Sequence, residues 1–268
     1  MSRAGMAGMQ LAAQEILTIG ETLDTDQWQM PSAASGWSVQ DVVVHTGCLL
    51  GLLMAAVGGE VLPETGITGI EALNDIQVAE KRGWNSRQAL EALQQNLDKA
   101  LAVFAPLQDE PLASVETQMF DLGSYPLHFI VDMFTFDLTT HLRYDILAPR
   151  GPVDRHLPAL GEAQLAPAVS WLLGGIPKMQ PDLPQHISAP LALNLTGPGA
   201  RQVMISVNGG AISVAPQPET GLAAIAPMTS STSDFLAWST KRLPWEPLVS
   251  IDGDTSAARR FLTFLNLI

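Results

Sequence analysis

The sequence predicts a mixed fold in two parts, a four-helix bundle over residues 1–150 followed by a small α+β domain over residues 151–268. Three observations carry that prediction. Charge is divided unevenly, with 19 acidic and 7 basic side chains in residues 1–150 against 8 and 7 in the remainder. Proline moves the other way, from 6 before the divide to 13 after it, so long unbroken helices belong to the first part. Between them, Leu147-Ala148-Pro149-Arg150-Gly151-Pro152 is a turn-rich stretch through which no helix continues.

Each element follows from local pattern. Residues 7–28, rich in Ala, Leu and Gln, read as a first helix, and Ser32–Gly36 as a loop after Pro31. Ser38-Val39-Gln40-Asp41 has the form of a capping box and opens an apolar second helix to about Val57. A loop is expected over Gly58–Gly69. Ser86–Phe104 places apolar residues at 90, 93, 97, 101 and 104, the spacing of a third helix. Pro106–Tyr125 reads as irregular, and a fourth helix runs from about Pro126, a favourable first-turn residue, to Leu147.

In the second part, Leu157–Leu173 reads as a helix despite Pro167. Ala192–Thr196, Gln202–Val207 and Ala211–Ala215 read as strands, with Asn208-Gly209-Gly210 as a hairpin turn between the last two. A further strand is expected over Ala223–Met228, a short helix from Ser233 and a strand over Leu248–Ile251. A last helix is expected over residues 255–267, with the strands pairing antiparallel.

Composition narrows the function. A net charge of −13 repels phosphate backbones and anionic lipid, so neither nucleic acid nor a membrane surface is the expected partner. The one cysteine, Cys48, excludes a disulfide framework and any Cys-rich zinc module, and reads as a small core residue. The uncharged window from Val42 to Gly59 approaches the length of a membrane span. His45, Thr46 and four glycines interrupt it, and no basic residue flanks it, so a helix buried in a bundle is the better reading. The first twenty residues lack the pattern of a signal peptide, and a cytoplasmic protein is expected.

Asp137 and His141 stand four residues apart on the fourth helix. Residues at that spacing leave one face, where a carboxylate and an imidazole can take two positions on a divalent metal. His45 can supply a third ligand from across the bundle. Three N/O ligands would leave the open position that a catalytic metal requires. His128 is about 220° round the helix from His141 and should point elsewhere. The plainer readings of the same region are a satisfied core histidine at 45 and a helix cap at Asp41. Asp145 reads as a solvated side chain or an ion-pair partner for Arg143.

Gly36-Trp37-Ser38-Val39-Gln40-Asp41-Val42-Val43-Val44-His45 resembles the G-W-[ST]-V-x-D-[VL]-[VL]-x-H signature of DinB-like, mycothiol-dependent maleylpyruvate isomerases. The resemblance implies that His45 is a metal ligand, with Asp137 and His141 in the place of the family's E-x-x-x-H. Ser233–Trp238, Lys241–Trp245, Ile251–Asp254 and Phe264–Ile268 resemble the family's sterol-carrier-like C-terminal domain. It further implies a divalent metal, typically zinc, and a low-molecular-weight thiol such as mycothiol acting on a small-molecule electrophile by isomerisation or S-transfer. Two positions depart from the family: Asp137 replaces Glu, and Tyr144 stands where Asp is usual, with Asp145 next. Arg143, Arg201 and Arg259 are candidates for binding a substrate carboxylate. The competing reading is a non-catalytic protein that binds a small apolar ligand beside a degenerate metal site. A third is an interaction partner in a dimer assembled through its bundle faces; the expected state is a monomer or homodimer.

Overall fold

The computed structural model describes residues 3–58, 69–217, 227–253 and 255–267. Its contacts fall into two units, Met1–Ala159 and Leu160–Ile268, the first mainly helical and the second built on a sheet.

The first unit holds α1 (Arg3–Gly20), α2 (Thr25–Gln29), α3 (Val39–Val57), α4 (Ile70–Lys81), α5 (Ser86–Phe104) and α6 (Phe129–Thr140). The predicted first helix is two helices. Asp24 starts α2, accepting from the Gln27 N–H while Gln27 accepts from the Asp24 N–H, a capping box that restarts the chain at a new angle. The Ser38–Asp41 box at the start of α3 is formed on both sides. Helix α4 was not expected. Its mixed pattern buries only Ile70, Asn74 and Val78, a narrow stripe that gives little periodic signal.

Helix α3 is long and apolar enough to span a membrane, yet 61% of its most hydropathic stretch is buried in the protein. It packs chiefly on α5. The glycines that interrupt the apolar run explain the fit: a Cβ at Gly47 would lie 3.3 Å from the Leu93 backbone, and one at Gly51 3.2 Å from the Asn96 amide. Asn96 donates to the Gly47 carbonyl at 2.8 Å across that close approach. Helix α1 packs on α6, where the Thr135 hydroxyl donates to the Gly5 carbonyl, and Phe104 stacks on Phe134 at the centre of the bundle.

The stretch read as irregular contains a hairpin, β1 (Glu116–Gln118) against β2 (Ser124–Pro126), so the fourth helix begins at Phe129. Three-residue strands are too short to show an alternation. Helix α6 does not continue as α to Leu147. It widens into a π-helical turn, His141–Ile146, in which the Leu147 N–H reaches back five residues to the Leu142 carbonyl.

The second unit has α7 (Glu162–Gly175), β3 (Leu191–Thr196), β4 (Arg201–Asn208), β5 (Ala211–Pro216), β6 (Met228–Ser231), α8 (Thr232–Ser239), β7 (Ser250–Ile251) and α9 (Thr255–Phe264). The sheet order is β5-β4-β3-β6-β7. Asn208 pairs with Ala211, and Gly209 and Gly210 have φ of 59° and 83°, the left-handed pair that a two-residue hairpin requires. Antiparallel pairing holds except between β3 and β6, which are parallel, Leu193 opposite Met228. The chain reaches β6 by a crossover, and a strand that returns to the far side of β3 need not reverse direction. Most of the strand expected over Ala223–Met228 lies outside the described residues. The Lys241 ammonium donates to the carbonyls of Leu262 and Thr263 and so caps the end of α9.

Candidate metal centre

Helix α3, helix α6 and the π-helical turn that follows it bring His45, Asp137 and His141 together. Nε2 of His45 lies 3.6 Å and Nε2 of His141 3.5 Å from the same oxygen, Oδ1 of Asp137. One atom from each residue falls within 4.8 Å of the others, the one such cluster among the described residues. The imidazoles meet nearly edge-on, at 76° and 5.0 Å between centroids. The indole of Trp37, from the loop before α3, lies 4.9 Å from the His45 ring and 6.3 Å from that of His141. Trp37 is held there by its Nε1–H, which donates to Asp75 of α4 at 2.9 Å. Thus α4, unread in the sequence, anchors one wall of the site.

The geometry and donors fit a divalent ion. Tetrahedral bonds of about 2.1 Å hold neighbouring ligand atoms about 3.4 Å apart, close to the two separations found here. Two imidazole nitrogens and a carboxylate oxygen are a donor set suited to zinc. Oδ2 of Asp137 and Nδ1 of His45 are buried without a hydrogen-bond partner. Polar atoms in that position carry a desolvation cost that an ion in the cluster would help offset for the carboxylate.

The electrostatics tie the three together. Burial works against ionised Asp137, but the imidazoles of His141 and His45 hold it well below the usual carboxylate range. Burial likewise opposes charge on His141, yet Asp137 first and Asp145 second push it up to about 9.

Asp145 is neither solvated nor the partner of Arg143. It is buried, faces Nδ1 of His141 at 2.9 Å, and takes the guanidinium of Arg150 on its other oxygen. Residues two apart leave a helical turn on nearly opposite sides, so Arg143 and Asp145 point apart. Nη2 of Arg143 instead donates to both carboxylate oxygens of Glu15 of α1, at 2.9 Å each, and Nη1 donates to the Pro158 carbonyl, so both terminal nitrogens of its guanidinium are already engaged. Arg201 and Arg259 lie in the second unit, where Arg201 donates to the Ala200 carbonyl and Arg259 lies over the Trp245 ring. Asp41 is a cap, and His128 turns to the Ala113 carbonyl at 2.8 Å, away from the cluster. Cys48 is half-buried, and that burial pushes its thiol up, away from the reactive thiolate. Trp37 lies within the motif, and Asp145 stands four residues after His141, the same i,i+4 spacing that Asp137 has before it, so that spacing is the signal that could have tied Asp145 to the site.

Residues 9–143 match the profile of the mycothiol maleylpyruvate isomerase N-terminal domain. Two crystal structures resemble most of the chain: the mycothiol-dependent maleylpyruvate isomerase and its variant with one histidine changed to alanine. Each is 15% identical, covers 92% of this chain and 91% of its own, and superposes with a TM-score of 0.57, which establishes a shared fold. No curated protein matches the chain.

Proposed function

Since the chain belongs to the mycothiol maleylpyruvate isomerase N-terminal domain family, we propose that it is a thiol- and divalent-metal-dependent enzyme acting on a small electrophile. The reaction is a cis–trans isomerisation like that of maleylpyruvate, or a thiol S-transfer. The observation that carries this reading is the convergence of His45, Asp137 and His141 on one point. In it, residues 1–150 are the metal-binding bundle and residues 151–268 a sterol-carrier-like domain of a cytoplasmic enzyme, with mycothiol or a similar small thiol as co-substrate.

When bound, a divalent ion, zinc by the donor set, supplies the positive charge that holds a small thiol as its thiolate at neutral pH. The chain's own residues do the rest. His45, Asp137 and His141 present three donors of total charge −1, leaving net positive charge for an anionic sulfur. Trp37 covers the imidazoles and excludes water from that side. Asp137 brings the two histidines to a common oxygen, although it is one methylene shorter than Glu, because α3 and the π-helical turn already hold the imidazoles 5.0 Å apart. Cys48 is not required as a nucleophile, in keeping with its burial.

The test is isomerisation of maleylpyruvate, and S-alkylation of the thiol by a small electrophile, with zinc-loaded and chelator-treated protein, each with and without mycothiol. Turnover that needs both metal and thiol supports the proposal. Equal rates in chelated protein, or no turnover of either kind by zinc-loaded protein, contradict it and leave the apolar-ligand reading ahead.

A further inference from the structure

Asp145 is held beside the cluster through both its side chain and its backbone. Oδ2 faces His141 Nδ1 at 2.9 Å, Oδ1 accepts from Arg150, and its main-chain carbonyl accepts the Ala33 N–H at 2.9 Å. Ala33 lies in the loop that carries Trp37, and Ser32 closes that loop by donating to the Trp37 carbonyl at 2.8 Å. One residue therefore touches both a proposed ligand and the base of the wall above it. A guanidinium only donates, so the Asp145 carboxylate is an acceptor, and the nitrogen facing it is Nδ1–H. Nε2 is then the nitrogen turned to Asp137.

Arg150 is delivered by a fold of the backbone. After the π-helical turn the chain doubles back: Gly151 N–H donates to the Leu147 carbonyl at 2.8 Å, Val153 N–H to Ile146 at 3.0 Å, and Ala148 N–H to Val153 at 2.9 Å. Gly151 lies so close to Ile146 that a Cβ would run into its main-chain carbonyl. Arg150 in the same turn also donates to the Tyr144 carbonyl at 3.1 Å, which fixes its reach to Asp145. His45 lacks any such support, its Nδ1 being buried without a partner.

We propose that Asp145 and Arg150 are positioning residues that hold His141 as an Nδ1–H donor with Nε2 directed at Asp137, so that the 147–153 turn sets one ligand's orientation. The inference rests on the metal reading above for its consequence, and on the hydrogen bonds alone for the orientation. Outer carboxylates of this kind change metal affinity about 10–100-fold when removed.

Two measurements test it separately. In metal-free protein labelled with ¹⁵N-histidine, His141 should show a slowly exchanging, downfield Nδ1-bound proton that disappears in Asp145→Ala and exchanges faster in Arg150→Gln. Zinc affinity, by competition with a chromophoric chelator, should fall about 10–100-fold in Asp145→Ala and by less in Arg150→Gln. A wild-type protein without that proton, or variants that lose it and still bind zinc as tightly as the wild type, overturns the proposal. A wild-type protein that shows the proton but takes up no zinc overturns the metal reading while upholding the orientation of His141. Arg150 is part-exposed, so its variant carries the test if Asp145→Ala does not fold.

Discussion

Asp137→Asn in the metal-free protein isolates the charge at the centre of the cluster while keeping the side-chain shape. Burial would lower the proton affinity of His141, but Asp137, 3.5 Å away, and then Asp145 push it up to about 9. A group held higher in the folded state than in the unfolded chain stabilises the fold while protonated. That contribution is complete below about pH 6.5 and is lost as pH rises through about 9. The displacement corresponds to about 3 kcal/mol. The depression of Asp137 arises from the same attraction and is not added to it. Urea unfolding of chelator-treated protein at pH 6.5 and 9.5 should therefore show the wild type losing about 3 kcal/mol that the variant does not lose in full. Because Asp137 is the larger of the two upward influences, the variant's loss should be less than half the wild type's. Equal losses in the two proteins refute the reasoning.

Three further substitutions address the scaffold. Ser38→Ala removes the acceptor for the Asp41 N–H and should lower stability by about 1 kcal/mol, read as a reduced urea midpoint with unchanged slope. Arg143→Ala leaves Glu15 without its guanidinium in a largely buried setting, and should cost about 3 kcal/mol by thermal unfolding, partly recovered on adding Glu15→Gln. Gly151→Ala forces a Cβ into the Ile146 backbone and should cost about 2 kcal/mol or more while weakening zinc binding. Gly83→Ala, where nothing lies within 4 Å, is its control and should leave zinc affinity unchanged.

The contrast between Ser86–Phe104 and Ile70–Lys81 shows where the sequence was legible. The first repeats its apolar residues on one broad face and was read to its ends, whereas α4 buries a single row of three residues, Ile70, Asn74 and Val78, one of them polar, and gave no pattern to read. The Asn-Gly-Gly hairpin was equally plain, because only that backbone needs two residues of positive φ in succession. The parallel β3–β6 pair was not, since a crossover direction leaves no mark on strand composition. At the site, His45, Asp137 and His141 came from an i,i+4 spacing and a motif, both local signals. Asp145 carries the same i,i+4 relation to His141 that Asp137 does, whereas Arg150 depends on a π-helical turn and a doubled-back loop, and no sequence period aligns it with Asp145.

The central claim is that three side chains form a metal site even with Asp at position 137. Metal content by plasma mass spectrometry, on protein purified without a histidine tag or chelator, tests it directly. The account predicts about one divalent ion per chain, zinc foremost, falling below about a tenth in His141→Ala with helical circular dichroism retained. Less than about a tenth of an ion in the wild type, or unchanged metal in His141→Ala, contradicts it.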